Sequence, residues 1–93
     1  MIQKFYRNIT KKDYRYYRTT NIYLAAYLYA HNLQLVNVDK ANPKRCVFVF
    51  RDTPERESLE SRFLFGKGAT VDAVLYAQAI RELKTKIHDR LLF

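Results

Sequence analysis

The chain has 93 residues, 48% of them apolar and 15% aromatic, and 17 Lys and Arg against nine Asp and Glu give it a formal charge of +8. Such a length and apolar share support one compact domain and exclude a chain disordered throughout, while only two Gly and two Pro exclude low-complexity and collagen-like material. The lone cysteine, Cys46, excludes a disulfide framework and a cysteine-built zinc site, and the longest apolar run, Ile22 to Ala30, falls far short of the roughly 20 residues of a membrane-spanning helix.

Residues 1–18 hold most of the excess charge: Lys4, Arg7, Lys11, Lys12, Arg15 and Arg18 stand against Asp13 alone. Tyr14, Tyr16 and Tyr17 favour an extended conformation, whereas Ile2, Phe5, Tyr6 and Ile9 would line one face of a short helix. Both readings stay open for this segment, which is taken as a basic, aromatic-rich arm ahead of a domain spanning 19–93. Charge and tyrosine interrupt every apolar stretch here, so no secretory signal is read and the expected location is the cytoplasm.

Thr19-Thr20-Asn21 marks a helix start, with Thr20 as the N-cap whose hydroxyl would satisfy a free N–H of the first turn. The helix runs from Ile22 to His31, and its broad apolar surface implies burial on more than one side. Asn32 suits the left-handed conformation that ends helices. Two strands follow, Leu33 to Asp39 and the β-prone run Cys46 to Phe50, joined by a connector containing Asn42-Pro43. A two-stranded hairpin alone is marginal in water. Packing helices, a third strand from the N-terminal segment or a second copy of the chain must therefore complete it.

Thr53-Pro54 predicts a second helix, Thr at the N-cap and Pro at the first helical position, with Leu59 and Phe63 facing the core. Gly66-Lys67-Gly68 breaks it. A last helix from about Asp72 to Asp89 carries the apolar stripe Tyr76, Ala79, Ile80, Leu83 and Ile87. The expected fold class is α+β, a small single domain in α-β-β-α-α order, its antiparallel hairpin packed by helices and preceded by the basic arm.

The inventory for catalysis is poor. His31 and His88 sit at helix ends, where an imidazolium suits the dipole, and no HxxxH or HExxH spacing exists. Cys46 reads as a small hydrophobe, and Glu55, Glu57 and Glu60 with Arg56 and Arg62 read as a solvated helix face. Gly66-Lys67-Gly68 lacks the P-loop pattern and reads as a connector. The protein is expected to be no enzyme and to need neither metal nor cofactor.

Cations alternating with aromatics in Lys4-Phe5-Tyr6-Arg7 and Tyr14-Arg15-Tyr16-Tyr17-Arg18 point instead to nucleic acid. Lys and Arg neutralise phosphates with counterion release, and exposed Tyr rings stack on unpaired bases. Lys4, Arg7, Lys11, Lys12, Arg15 and Arg18 are assigned to phosphate, Tyr14 and Tyr16 to stacking, and Lys44 with Arg45 to a second contact, for either DNA or RNA. The competing expectation is a protein-interaction module, docking on a larger partner or pairing with itself, with Tyr23 and Tyr27 as its surface. No membrane partner is expected.

The stretch Tyr17-Arg18-Thr19-Thr20-Asn21-Ile22-Tyr23-Leu24-Ala25-Ala26-Tyr27-Leu28 resembles a family of small bacterial and phage domains of unknown function. Its members look like Tyr-Lys/Arg-Thr-Ser-Asp-Leu-Tyr-Leu-Ala-Ala-Phe-Leu at this point. Asn32, Val47-Phe48-Val49-Phe50 and Ala79-Ile80-Arg81-Glu82-Leu83-Lys84 continue the likeness over residues 17–88. Thr20, Asn21 and Asn32 depart from the pattern. The resemblance implies the α-β-β-α-α order and a non-enzymatic module, and it carries over no site.

Overall fold

A computed structural model of the chain describes residues 15–42, 44–66 and 68–88. The elements are strand β1 (Tyr16–Thr19), helix α1 (Ile22–Ala30), strands β2 (Leu35–Asp39) and β3 (Val47–Arg51), and helices α2 (Arg56–Phe65) and α3 (Ala73–His88). This is an α+β domain with one strand more than the α-β-β-α-α order. Tyr16 to Thr19 supply the third strand that the hairpin needed. Lys4, Arg7, Lys11, Lys12 and Tyr14 lie outside the described residues.

The sheet has the order β1-β3-β2 and is antiparallel throughout. β3 is therefore central, which explains why its sequence is a continuous apolar run while both neighbours mix polar and apolar residues. Phe48 and Phe50 point to the core side, opposite Thr19 and Tyr17 on β1 and Val38 and Leu35 on β2. The β2–β3 register shifts between Leu35 and Asn37, so Val36 is the extra residue of a bulge. That bulge lets two adjacent apolar residues, Leu35 and Val36, interrupt the alternation.

Among the described residues, α1, α2 and α3 all pack on the Phe48 and Phe50 side. Five consecutive residues of α1, Leu24 to Leu28, are buried among Leu33, Val38, Phe48, Phe50, Leu59, Ala79 and Leu83. A helix buried nearly all round lies between the sheet and its neighbours, and Ala25 and Ala26 admit the close approach this requires. Tyr27 belongs to this core at 2% exposed, its ring against Phe63, while Tyr23 is 58% exposed. The two tyrosines consequently do not form one surface.

The helix ends correct two expectations. Asn21, not Thr20, caps α1: its Oδ1 accepts the N–H groups of Tyr23 and Leu24 at 3.0 and 3.2 Å, while Thr19 Oγ1 accepts the N–H of Asn21. α2 begins at Arg56 rather than at Pro54, because Asp52 Oδ1 takes the Thr53 N–H and the Arg56 N–H bonds the Thr53 carbonyl, closing a turn first. At its other end α1 finishes on Asn32 at φ 72°, with Leu33 N–H reaching the Leu28 carbonyl and Asn32 N–H that of Tyr29. This Schellman arrangement brings Leu33 back onto buried Leu28. Gly66, at φ 68°, ends α2 as expected, and Asp72 caps α3 through Val74 and Leu75.

Candidate nucleic-acid interface

Strand alternation sends Tyr16, Arg18, Val47, Val49, Arg51, Asn37 and Asp39 to the side of the sheet away from the helices. Tyr16 lies directly across from Arg51, and Val49 has Arg18 on one side and Asn37 on the other. Arg18, Arg51 and Asn37 are exposed, Tyr16 is half-buried, and Val49 sits at the centre at 5% exposed. Among the described residues, neither Arg18 nor Arg51 has a carboxylate partner. The one acid on this face, Asp39, lies at its far end and accepts the Ala41 N–H. The ladder extends past Arg51, since the Arg51 N–H donates to the Gln34 carbonyl and the Asp52 N–H to that of Arg15. The Arg15 backbone is thereby fixed beside the Tyr16–Arg51 pair.

Of the ten residues predicted as a nucleic-acid site, the fold thus puts Tyr16 and Arg18 on this face, while Arg15 directly precedes β1. Lys44 and Arg45 stand at the β2–β3 turn, at the opposite end of β3 from Arg51, about 20 Å along an extended chain. Sequence reasoning missed Arg51. Its signal was available: Arg51 continues the period-two series of Val47 and Val49, opposite in phase to Phe48 and Phe50. Tyr17, by the same alternation, turns inward.

On the helix side, Lys44, Arg45 and Cys46 line a cavity of about 470 Å³ with Thr20, Ile22, Phe48 and Ile87. The end of α3 is held against this turn, where Lys40 Nζ donates to the Lys86 carbonyl at 2.7 Å.

Several other polar residues are engaged structurally. Arg56 donates to both oxygens of Asp52 at 3.0 and 3.1 Å and to Glu60 at 2.8 Å, with its guanidinium 4.3 Å above the Tyr17 ring. Bonding to Asp52 and Glu60 raises the Arg56 pKa still further, so the cation persists at every accessible pH. Burial, with a hydrogen bond to Glu60, pushes the Tyr17 hydroxyl up to about 12. Its Glu82 hydrogen bond raises Tyr29, and burial raises Tyr76, whose hydroxyl donates to the Tyr23 carbonyl. His31 packs edge-on against Tyr27 and its Nε2 lies 2.7 Å from the Thr70 carbonyl, joining the end of α1 to the loop before α3. His88 and Cys46 stand apart from these groups, and among the described residues no three of His, Cys, Asp or Glu converge as metal ligands. Nor, among those residues, is any helix long and apolar enough to cross a membrane.

A second kind of surface lies where α2 gives way to α3. Leu64 and Phe65 in the last turn of α2, and Val74 and Leu75 in the first turn of α3, are all exposed, Phe65 at 73%.

No curated protein and no solved structure matches the chain. A family model, described as a domain of unknown function (DUF5659), matches residues 14–89 and so takes in β1 and all the other described residues. The chain belongs to the DUF5659 family.

Proposed function

We propose that the protein is a small, non-catalytic, cytoplasmic module that binds single-stranded nucleic acid on the sheet face opposite α1, α2 and α3. The observation that carries this reading is the placement of Arg18 and Arg51, exposed and without carboxylate partners among the described residues, on adjacent strands beside Tyr16. Two guanidiniums about two residues apart along the ladder match successive phosphates, and a tyrosine between them offers a base a stacking surface. A flat sheet face reaches the bases only when they are unpaired, which favours a single strand over a duplex. Lys4, Arg7, Lys11, Lys12 and Tyr14 would extend the phosphate track, with no sequence-specific readout.

The test is fluorescence anisotropy of labelled single-stranded DNA, duplex DNA and RNA at about 50 and 200 mM salt, where phosphate contacts show their slope. The full chain is compared with an Arg18→Glu/Arg51→Glu variant. Truncation to Thr19 is unsuitable, because it would remove β1 as well as the arm. Loss of two phosphate contacts should flatten the log–log salt dependence by about 1.4 for a single strand. Binding that is absent at low salt, or unchanged in the double variant, overturns the proposal.

The second reading, a phage or mobile-element accessory protein that docks on a larger partner or a second copy, is favoured by Leu64, Phe65, Val74 and Leu75 rather than by the Tyr23–Tyr27 pair. It predicts association insensitive to salt and weakened by Phe65→Ser.

A further inference from the structure

The cavity at the hairpin end has a two-part chemistry. Ile22 and Ile87, both half-buried, form apolar walls, and Phe48 closes the floor. Lys44 and Arg45, exposed on the rim, have no side-chain partner among the described residues. Thr20 and Cys46 complete the lining. At about 470 Å³ the space falls within the roughly 300–1,000 Å³ of small-molecule sites, which combine an apolar lining with a few placed polar groups.

An occupant must bring an apolar body and an anionic end. A fatty acid fits poorly, because its chain would need an enclosed channel, whereas this space is open to solvent beside two cations. A nucleotide suits the lining better: a planar base between the isoleucines and a phosphate on the two cations. Rigidity supports the geometry. The turn is tied down where Asn42 accepts both the Lys44 and Arg45 N–H groups, through Oδ1 and the carbonyl, and where Lys40 bonds the Lys86 carbonyl.

We propose that this cavity binds one unstacked nucleotide, its base between Ile22 and Ile87 and its phosphate on Lys44 and Arg45. The assignment rests on the nucleic-acid reading for its biological sense, but it lies on the other side of the sheet from Arg18 and Arg51 and uses none of their atoms. A strand crossing the face that carries Arg18 and Arg51 would deliver an end or a flipped nucleotide here.

The experiment titrates the full-length protein with adenosine 5′-monophosphate, uridine 5′-monophosphate, inorganic phosphate and decanoate, followed by ¹H–¹⁵N spectra. Saturable shifts at Thr20, Ile22, Arg45, Cys46 and Ile87 are expected for the two nucleotides, at roughly millimolar affinity for a single unit. Lys44→Glu/Arg45→Glu should weaken them at least about tenfold with the rest of the spectrum unmoved, since both side chains are exposed. Arg18→Glu/Arg51→Glu should leave nucleotide binding intact while weakening oligonucleotide binding and flattening its salt dependence, which separates failure of this site from failure of the face. Equal shifts with inorganic phosphate reduce the cavity to an anion site and overturn the base assignment. Response to decanoate alone, or nucleotide shifts elsewhere, overturns the whole.

Discussion

Replacing Arg56 by Met should destabilise the domain by about 2–3 kcal/mol although no core residue is touched. The guanidinium makes three charge-assisted hydrogen bonds, two to Asp52 and one to Glu60, and lies 4.3 Å over the Tyr17 ring. The three charged side chains are 17–25% exposed, so each of the two ion pairs ranks near the top of the surface range of about 0.2–1 kcal/mol and below a fully buried pair of about 3–5. Two pairs at about 0.8–1 kcal/mol each, with roughly 0.5–1 kcal/mol for the ring, give the total. Met preserves the aliphatic packing of the stem, so the loss reports on the head group, including two carboxylates left without their cation. Arg56→Lys keeps the charge but loses the two-pronged fit to Asp52, and should fall about midway. Urea denaturation at pH 7 measures both, and the melting temperature of Arg56→Met should drop by about 8–20 °C for a domain this size. A loss below about 0.5 kcal/mol would refute the reasoning and make the cluster a solvated face of no structural weight.

Tyr17 is held protonated in the fold, at about 12 against an ordinary 10, so its contribution is complete below pH 10 and declines as pH rises toward 12, because the unfolded chain releases its proton first. After allowance for solvent screening, the stability gap between the wild type and Tyr17→Phe should narrow by about 1–2 kcal/mol from pH 9.5 to 12 in urea melts; a constant gap removes the hydroxyl from the account. Asn21→Ala should cost about 1 kcal/mol, while Thr20→Ala stays within about 0.5, and the reverse order in thermal melts would return the cap to Thr20. Asn32→Ala should destabilise by about 1–2 kcal/mol at its left-handed φ of 72° and Asn32→Gly hardly at all, so equal melting of the two would deny that backbone strain governs the position.

Local signals carried much of this fold. The α3 stripe emerges with Ala79 and Leu83 buried and Tyr76, Ile80 and Ile87 packed on them, because a helix with one apolar face needs only its own period to be seen. β3 was equally plain from Val47-Phe48-Val49-Phe50. What escaped were features settled by partners distant in sequence. Tyr16 to Thr19 become a strand because Phe48 to Arg51 offer a free ladder, and four residues with no period of their own cannot announce that. Asp52 diverts the start of α2, since its side chain is shared between the Thr53 N–H and Arg56 where a Thr-Pro cap would otherwise open the helix. The candidate interface was visible as composition in Tyr16 and Arg18. Its third member, Arg51, joins only once the register across the sheet is known.

The order β1-β3-β2 also has a consequence for when the proposed binding face exists. β2 and β3 meet across a short turn, whereas β1 pairs with β3 over separations that run from Thr19–Phe48 to Tyr16–Arg51, with α1 and β2 lying between. Closing that long loop costs more chain entropy than closing the hairpin and is repaid by only four residue pairs at an edge. β1 is therefore the last strand to join and the first to peel away, and its amides should exchange with solvent faster than those of β3 under native conditions. Tyr16 and Arg18 stand beside Arg51 only in the completed molecule, so a nascent or partly unravelled chain carries the same charges without the surface that arranges them.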